Sequence, residues 1–222
     1  MPTIAIVGAG PGLGRSIATL FGSHGFQVAL ISRNPGKLDG LVAELTAAGI
    51  TTAGFPADVS DHPALTAALQ QAAARFGGID VLEFSPYAGL TRVSPDQVGI
   101  DTLRPEIEQL LYGGVTAARA VLPAMLEAGA GILLFTTGGG AINPYPMLAT
   151  TNAAQAALRN WVHNLHQTLA ERGVYAATVA INVFIGATPP APGIPHADPD
   201  HIAHTYWDLH NQRDRPEHVI NG

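Results

Sequence analysis

Short apolar runs alternate along the chain with longer stretches whose apolar residues recur at helical spacing. Thr3–Val7 is a β-branched run, followed by a glycine cluster and a helical stretch over Leu13–Gly25. Gln27–Ile31 predicts a second strand, Lys37–Ala48 a helix closed by Gly49, and Thr51–Phe55 a third strand. Asp61 is placed to cap a helix that ends near Phe76, with Gly77-Gly78 as its stop. Val81–Phe84 reads as a fourth strand and Pro105–Glu127 as a long helix ended by Gly129. Ile132–Thr136 is a fifth strand, Thr151–Arg172 a helix closed by Gly173, and Tyr175–Val183 a sixth strand. Asp198–Arg213 predicts a last helix.

Strands regularly separated by helices imply a parallel sheet with helices on both faces, a doubly wound α/β fold in three layers. The strands read as continuous apolar runs, as expected when both faces are buried. At 222 residues the chain predicts a single domain over 1–222. Residues 186–199 are a Pro/Gly-rich loop, so 186–215 is expected to form a lid loop and C-terminal helix beside the substrate.

Composition narrows the function. Charged residues make up 13% of the chain and the formal net charge is −6, without a basic block. That argues against nucleic acid or an anionic membrane as the main partner. There is no cysteine, which removes disulfides, thiolate metal sites and a cysteine nucleophile. No long uninterrupted apolar run or leader pattern is seen, so a cytoplasmic location is expected.

The segment Gly8-Ala9-Gly10-Pro11-Gly12-Leu13-Gly14 lies between the first strand and the first helix. In a doubly wound fold this is where a dinucleotide binds: glycines let the backbone approach a pyrophosphate, and the helix N-terminus offers free N–H groups. An acid at the end of the second strand would bind a ribose 2′-hydroxyl and repel a 2′-phosphate. This chain has Ser32-Arg33-Asn34 instead, with Lys37 nearby, and Arg33 suits a phosphate.

The spacing Gly8-xxx-Gly12-x-Gly14 resembles that of the short-chain dehydrogenases/reductases. Ala57-Asp58-Val59 after the third strand, Ala120–Met125, Ala156-Ala157-Leu158 and Leu169–Val174 agree with that family in order, over about residues 3–185. The resemblance implies a Rossmann sheet of order 3-2-1-4-5-6, with little chain left for the family's seventh strand beyond His218-Val219-Ile220. It implies NADP(H), held by Gly8, Gly10, Pro11, Gly12, Leu13, Gly14, Ser32, Arg33, Asn34, Asp58, Val59, Ser85, Pro86 and Ile185. A homodimer or homotetramer is also implied.

The family's chemistry uses an Asn, a Ser and a Tyr-xxx-Lys pair. The matching positions here are Leu110, Thr137, Thr151 and Gln155. Lys37 is the only lysine among the 11 basic residues, so no Tyr-xxx-Lys exists. An alkyl hydroxyl gives up its proton far less readily than a phenol, and a neutral amide cannot depress a neighbour's pKa. Tyr87, Tyr112 and Tyr145 are the substitutes considered, with Tyr145 preferred because its loop spans the expected cleft. Nine histidines include His163-xx-His166 and the group His196, His201 and His204, but none completes a metal-ligand set. Tyr206-Trp207 is expected to anchor the last helix by aromatic packing. Two readings stay open: a divergent NADP(H)-dependent oxidoreductase on a small carbonyl or alcohol, and a non-catalytic relative that binds NADP(H) as sensor, scaffold or subunit.

Overall fold

The computed structural model describes residues 1–87 and 89–221. In chain order its elements are β1 (Thr3–Val7), α1 (Leu13–Ser23), β2 (Gln27–Ser32), α2 (Pro35–Ala47), β3 (Thr52–Pro56), α3 (His62–Phe76) and β4 (Val81–Phe84). There follow α4 (Ile100–Glu106), α5 (Gly113–Ala128), β5 (Gly131–Gly138), α6 (Ala149–Leu169) and β6 (Val174–Ile181). The short strands β7 (Phe184–Ile185) and β8 (His196–Ala197), helix α7 (Pro199–Gln212) and β9 (Glu217–Ile220) complete it.

The main sheet is parallel throughout, in the order β3-β2-β1-β4-β5-β6-β9. Successive strand residues point to opposite faces, and both sets are apolar because both faces are covered. Ile4, Ile6, Leu30, Val81 and Leu134 pack against Ile17 and Phe21 of α1, Leu38 and Leu45 of α2, and Ile202 and Tyr206 of α7. Ala5, Val7, Ile31, Phe84 and Phe135 pack against Leu65 and Leu69 of α3, Val121 and Met125 of α5, and Leu158 and Val162 of α6.

Local signals set the helix ends where expected. Asp61 accepts from the Ala64 N–H and caps α3, while Gly77, Gly129 and Gly173 adopt left-handed conformations behind α3, α5 and α6. The long helix departs from expectation. It begins at Ile100 rather than Pro105, and Ile107–Tyr112 forms a π-helical insertion between α4 and α5. Pro105 has no N–H for the acceptor four residues back, and the insertion follows directly after it.

The seventh strand, for which the sequence left little room, is present as β9. It pairs with β6 from Thr178↔Glu217 to Ile181↔Ile220. Arg159 of α6 holds Glu217 through two N–H···O contacts of 2.6 and 2.7 Å, and Thr178 Oγ1 donates to the same carboxylate at 3.0 Å. Tyr175 donates from its hydroxyl to the Arg215 carbonyl at 2.6 Å. Four residues of strand thus dock because a charge-assisted clamp reaches them from α6.

Candidate active site

β1 and β4 are sequence-distant neighbours, so the chain's path reverses between them. Ligands of open parallel sheets bind beyond the strand ends at such a point. The loop after β1 is built for that crevice. Gly8 and Ala9 donate N–H bonds to the Ile31 carbonyl at 2.9 and 3.0 Å, and Ser85 donates its own to Val7 at 2.9 Å. Gly8 has φ +96°, and a Cβ there would come within 2.6 Å of the Pro86 backbone. Only glycine fits that conformation against that neighbour. At Gly14 a Cβ would come within 3.0 Å of Ala9 Cα, which seats α1 tightly under the loop.

Gly12 is different. A Cβ built there meets nothing within 4 Å, so this glycine borders open space. It is also the N-cap of α1, with no side-chain cap and no acid in the first turn. The first amides of the helix, at Leu13 and Gly14, have no intrahelical acceptor by the geometry of a helix start. A pyrophosphate fits here: there is room at Gly12, free donors, and the positive end of an 11-residue helix.

At the end of β2, Ser32 is half-buried and Arg33 is exposed, and among the described residues no acid pairs with Arg33. Asn34 has another task, because its Oδ1 accepts from the Lys37 N–H at 3.0 Å and caps α2. The Ala57 N–H bonds the Ser32 carbonyl at 3.1 Å, which brings Asp58 and buried Val59 beside the β2 end. Asp58 accepts from the Ser60 N–H at 2.9 Å. Ile185 lies on β7, opposite Ala197 of β8.

Of the remaining predicted positions, Thr137 lies on β5 and Thr151 and Gln155 lie on α6. Thr137 and Thr151 are buried, and neither hydroxyl has a hydrogen-bond partner among the described residues; Thr150 beside them is the same. Gln155 Oε1 accepts from the Gly138 N–H at 2.9 Å, so Gln155 ties down the end of β5. Leu110 is buried in the π-helical insertion. Tyr145, Tyr87 and Tyr112 are 60%, 72% and 48% exposed, respectively. Asn152 Nδ2 donates to the Tyr145 carbonyl at 2.7 Å, which fixes that loop by its backbone and leaves the phenol outside.

The histidines of α6 are structural. His166 Nδ1 lies 2.9 Å from the Ala176 carbonyl, and His163 Nε2 lies 3.6 Å from Glu217. Burial and the neighbouring Arg159 hold the His163 pKa below its ordinary value. Among the described residues no group of three or more His, Cys, Asp or Glu is placed to hold a metal.

Sequence reasoning passed over one polar cluster. Glu83 of β4 is fully buried. Its Oε2 lies 2.9 Å from Ser85 Oγ and its Oε1 accepts from Thr136 Oγ1 at 3.0 Å. Thr136 Oγ1 in turn lies 2.5 Å from the hydroxyl of Tyr206, itself fully buried on α7. Burial pushes the Glu83 pKa up to about 8, against the lowering effect of the two hydroxyls, so the carboxyl is neutral at pH 7. The signal was one acid inside an otherwise apolar β4, Val-Leu-Glu-Phe.

The comparisons with known proteins agree with this geometry. The short chain dehydrogenase family model matches residues 2–188, and the chain belongs to that family. It is 28% identical over 181 residues to a fatty acyl-CoA reductase of Mycobacterium tuberculosis, across 79% of this chain and 60% of that protein's length. The L-sorbose reductase of Gluconobacter frateurii, solved with NADPH and L-sorbose, superposes with a TM-score of 0.90 at 18% identity. That match covers 100% of this chain and 95% of the other. A metagenomic short-chain oxidoreductase in complex with NADP gives 0.85 at 25% identity over 99% and 96% of the two chains. A 3-oxoacyl-[acyl-carrier protein] reductase of Brucella melitensis, bound to NAD, gives 0.84 at 22% identity over 99% and 88%. Among the described residues no helix is long and apolar enough to cross a membrane.

Proposed function

We propose that this chain binds NADP(H) in the β1/β4 crevice and acts as an oxidoreductase on a small carbonyl or alcohol. One observation carries the reading: the open space at Gly12 on the α1 N-terminus, together with a β2 end that carries Arg33 and no acid. Gly8, Gly10, Pro11, Gly12, Leu13 and Gly14 would hold the pyrophosphate. Ser32 and Arg33 would hold the 2′-phosphate, with Asn34 positioning them through its cap on α2. Asp58 and Val59 would flank the adenine, and Ser85, Pro86 and Ile185 the nicotinamide half. Such a cofactor supplies a hydride donor or acceptor. Thr137, Thr151, Gln155 and Tyr145 then border the substrate, under a lid formed by 186–199. Cytoplasmic residence and a homodimer or homotetramer belong to the same reading.

A second reading, a non-catalytic NADP(H)-binding sensor, scaffold or subunit, is favoured by one feature. Gln155 is engaged with the Gly138 amide, and no phenol of the three considered is buried beside it. Calorimetric titration tests what the readings share. NADPH should bind more tightly than NADH, and Arg33→Ala should cost roughly tenfold or more for NADPH alone, the scale of one charge-assisted phosphate contact. Equal losses for both dinucleotides would remove the NADP(H) assignment.

A further inference from the structure

The buried cluster below the crevice is a directed chain of hydrogen bonds. Its direction follows from its closed end. Among the described residues the Tyr206 hydroxyl has Thr136 Oγ1 as its partner, and burial keeps the phenol protonated, so it donates to Thr136. The Thr136 hydrogen is then directed to Glu83 Oε1. With Oε1 accepting, the carboxyl proton belongs on Oε2, facing Ser85 Oγ at 2.9 Å. Ser85 Oγ donates to Oε2 when the carboxyl is ionised; when the carboxyl carries its proton the bond turns round, Ser85 accepts, and its own hydrogen is left for an acceptor outside the cluster. Ser85 is half-buried at the carboxyl end of β4, and its backbone packs on Gly8. Ser85 is thus the member of the cluster whose backbone lies beside the glycine loop.

We propose that Glu83 and Ser85 are this chain's acid for carbonyl reduction, with the proton held on Glu83 Oε2 passing through Ser85 Oγ to the oxygen of a substrate in the crevice. This rests on the oxidoreductase reading above. It answers the chemical gap left by the absent Tyr-xxx-Lys, since the proton must come from a group that is protonated near neutral pH. Glu83 meets that need through burial alone. The strand residues in register with it are Ile6 and Leu134, and the one other titratable group facing it among the described residues is Tyr206. Among those residues no cation lies against it to hold the carboxylate form.

The step balances. A reduced dinucleotide held by the glycine loop would supply the hydride for the carbonyl carbon. Ser85 Oγ gives its hydrogen to the carbonyl oxygen as Glu83 Oε2 gives its proton to Ser85 Oγ. The C=O becomes CH–OH, and Glu83 is left as a carboxylate. It regains a proton from water through Ser85 when the product leaves.

The test has two readouts on the full chain. Protein labelled with ¹³C at the glutamate carboxyl reports Glu83 directly, its signal identified by its loss in Glu83→Gln. The expected result is an acid-form signal at pH 7 that converts near pH 8. NADPH oxidation with 2,3-butanedione and 9,10-phenanthrenequinone as probes gives the second. Turnover should fall as pH rises through about 8. Glu83→Gln and Ser85→Ala should each lower kcat roughly 100-fold or more, the usual worth of a positioned acid, and Glu83→Gln, which lies outside the cofactor site, should change KM for NADPH far less. The Gln variant should also lose the pH inflection. A Glu83 carboxylate signal at pH 7 overturns the proposal whatever the kinetics. Turnover that survives both substitutions with its pH profile intact overturns it as well. So does NADPH binding without turnover of either probe, which leaves the cofactor site standing. Failure to bind any dinucleotide is a separate result and removes the oxidoreductase reading itself.

Discussion

The two halves of this sheet build their sites from different materials. From β1 to β3 the site is backbone: a glycine loop, the amides of a helix start and the end of a strand. From β4 to β6 it is side chains, and there sequence matching sets Leu110, Thr137, Thr151 and Gln155 against the family's reacting groups. A backbone site depends on φ/ψ and on space, so it survives as long as a few glycines do. A side-chain site depends on pKa and reach, so single replacements change its chemistry. The first half therefore shows the family's backbone pattern plainly, while the second lacks a Tyr-xxx-Lys pair and has a buried carboxyl, Glu83.

The sharpest way to break the contrast is to damage the backbone half with one methyl group. Gly8→Ala forces a side chain into φ +96° and brings its Cβ within 2.6 Å of Pro86. The expected cost is about 3–5 kcal/mol, combining left-handed strain and overpacking. A thermal melt should show it, and dinucleotide binding should be lost even in the cold.

Glu83→Gln sharpens the comparison from the other side. The native carboxyl titrates at about 8 in the fold, against an ordinary glutamate value of 4.5 once the chain unfolds. Between those values the folded protein holds a proton that the unfolded chain has released, so stability falls as pH rises across that window. The amide does not ionise and escapes this loss. The variant should match the native protein near pH 4.5 and exceed it by a few kcal/mol near pH 8. Denaturation curves at the two pH values measure the difference; equal stabilities at pH 8 would mean that Glu83 is ionised in the fold without cost.

Gln155→Ala has the smallest effect. It removes the acceptor of the Gly138 amide, and about 1 kcal/mol of stability should go with it. Differential scanning calorimetry resolves a change of that size.

Much of the fold was legible because its signals are local. The apolar runs from Thr3 to Phe84, the Asp61 cap and the glycine stops at 77, 129 and 173 each act within a few residues. The glycine loop was legible for the same reason, since its role follows from its place after β1. What was hidden depends on distant partners. β9 is four residues long, and it docks through Arg159, which lies 58 positions earlier in the chain than Glu217. Thr136 reaches Tyr206 across 70 positions and Glu83 across 53. A lone acid in an apolar strand signals that something satisfies it, but only the fold says what does. Tyr145 was placed by reasoning about sequence order, and the fold leaves its phenol 60% exposed.

The central claim is that the crevice between β1 and β4 holds the dinucleotide. Amide hydrogen exchange with and without NADPH tests it at residue level. The account predicts new protection at Gly12, Leu13 and Gly14 and at the Ser85–Tyr87 segment. A separate cavity of about 610 Å³ between α3 and α5, lined by His62, Gln70 and Arg119, provides the contrast. Protection there, with the glycine loop unchanged, would contradict the account.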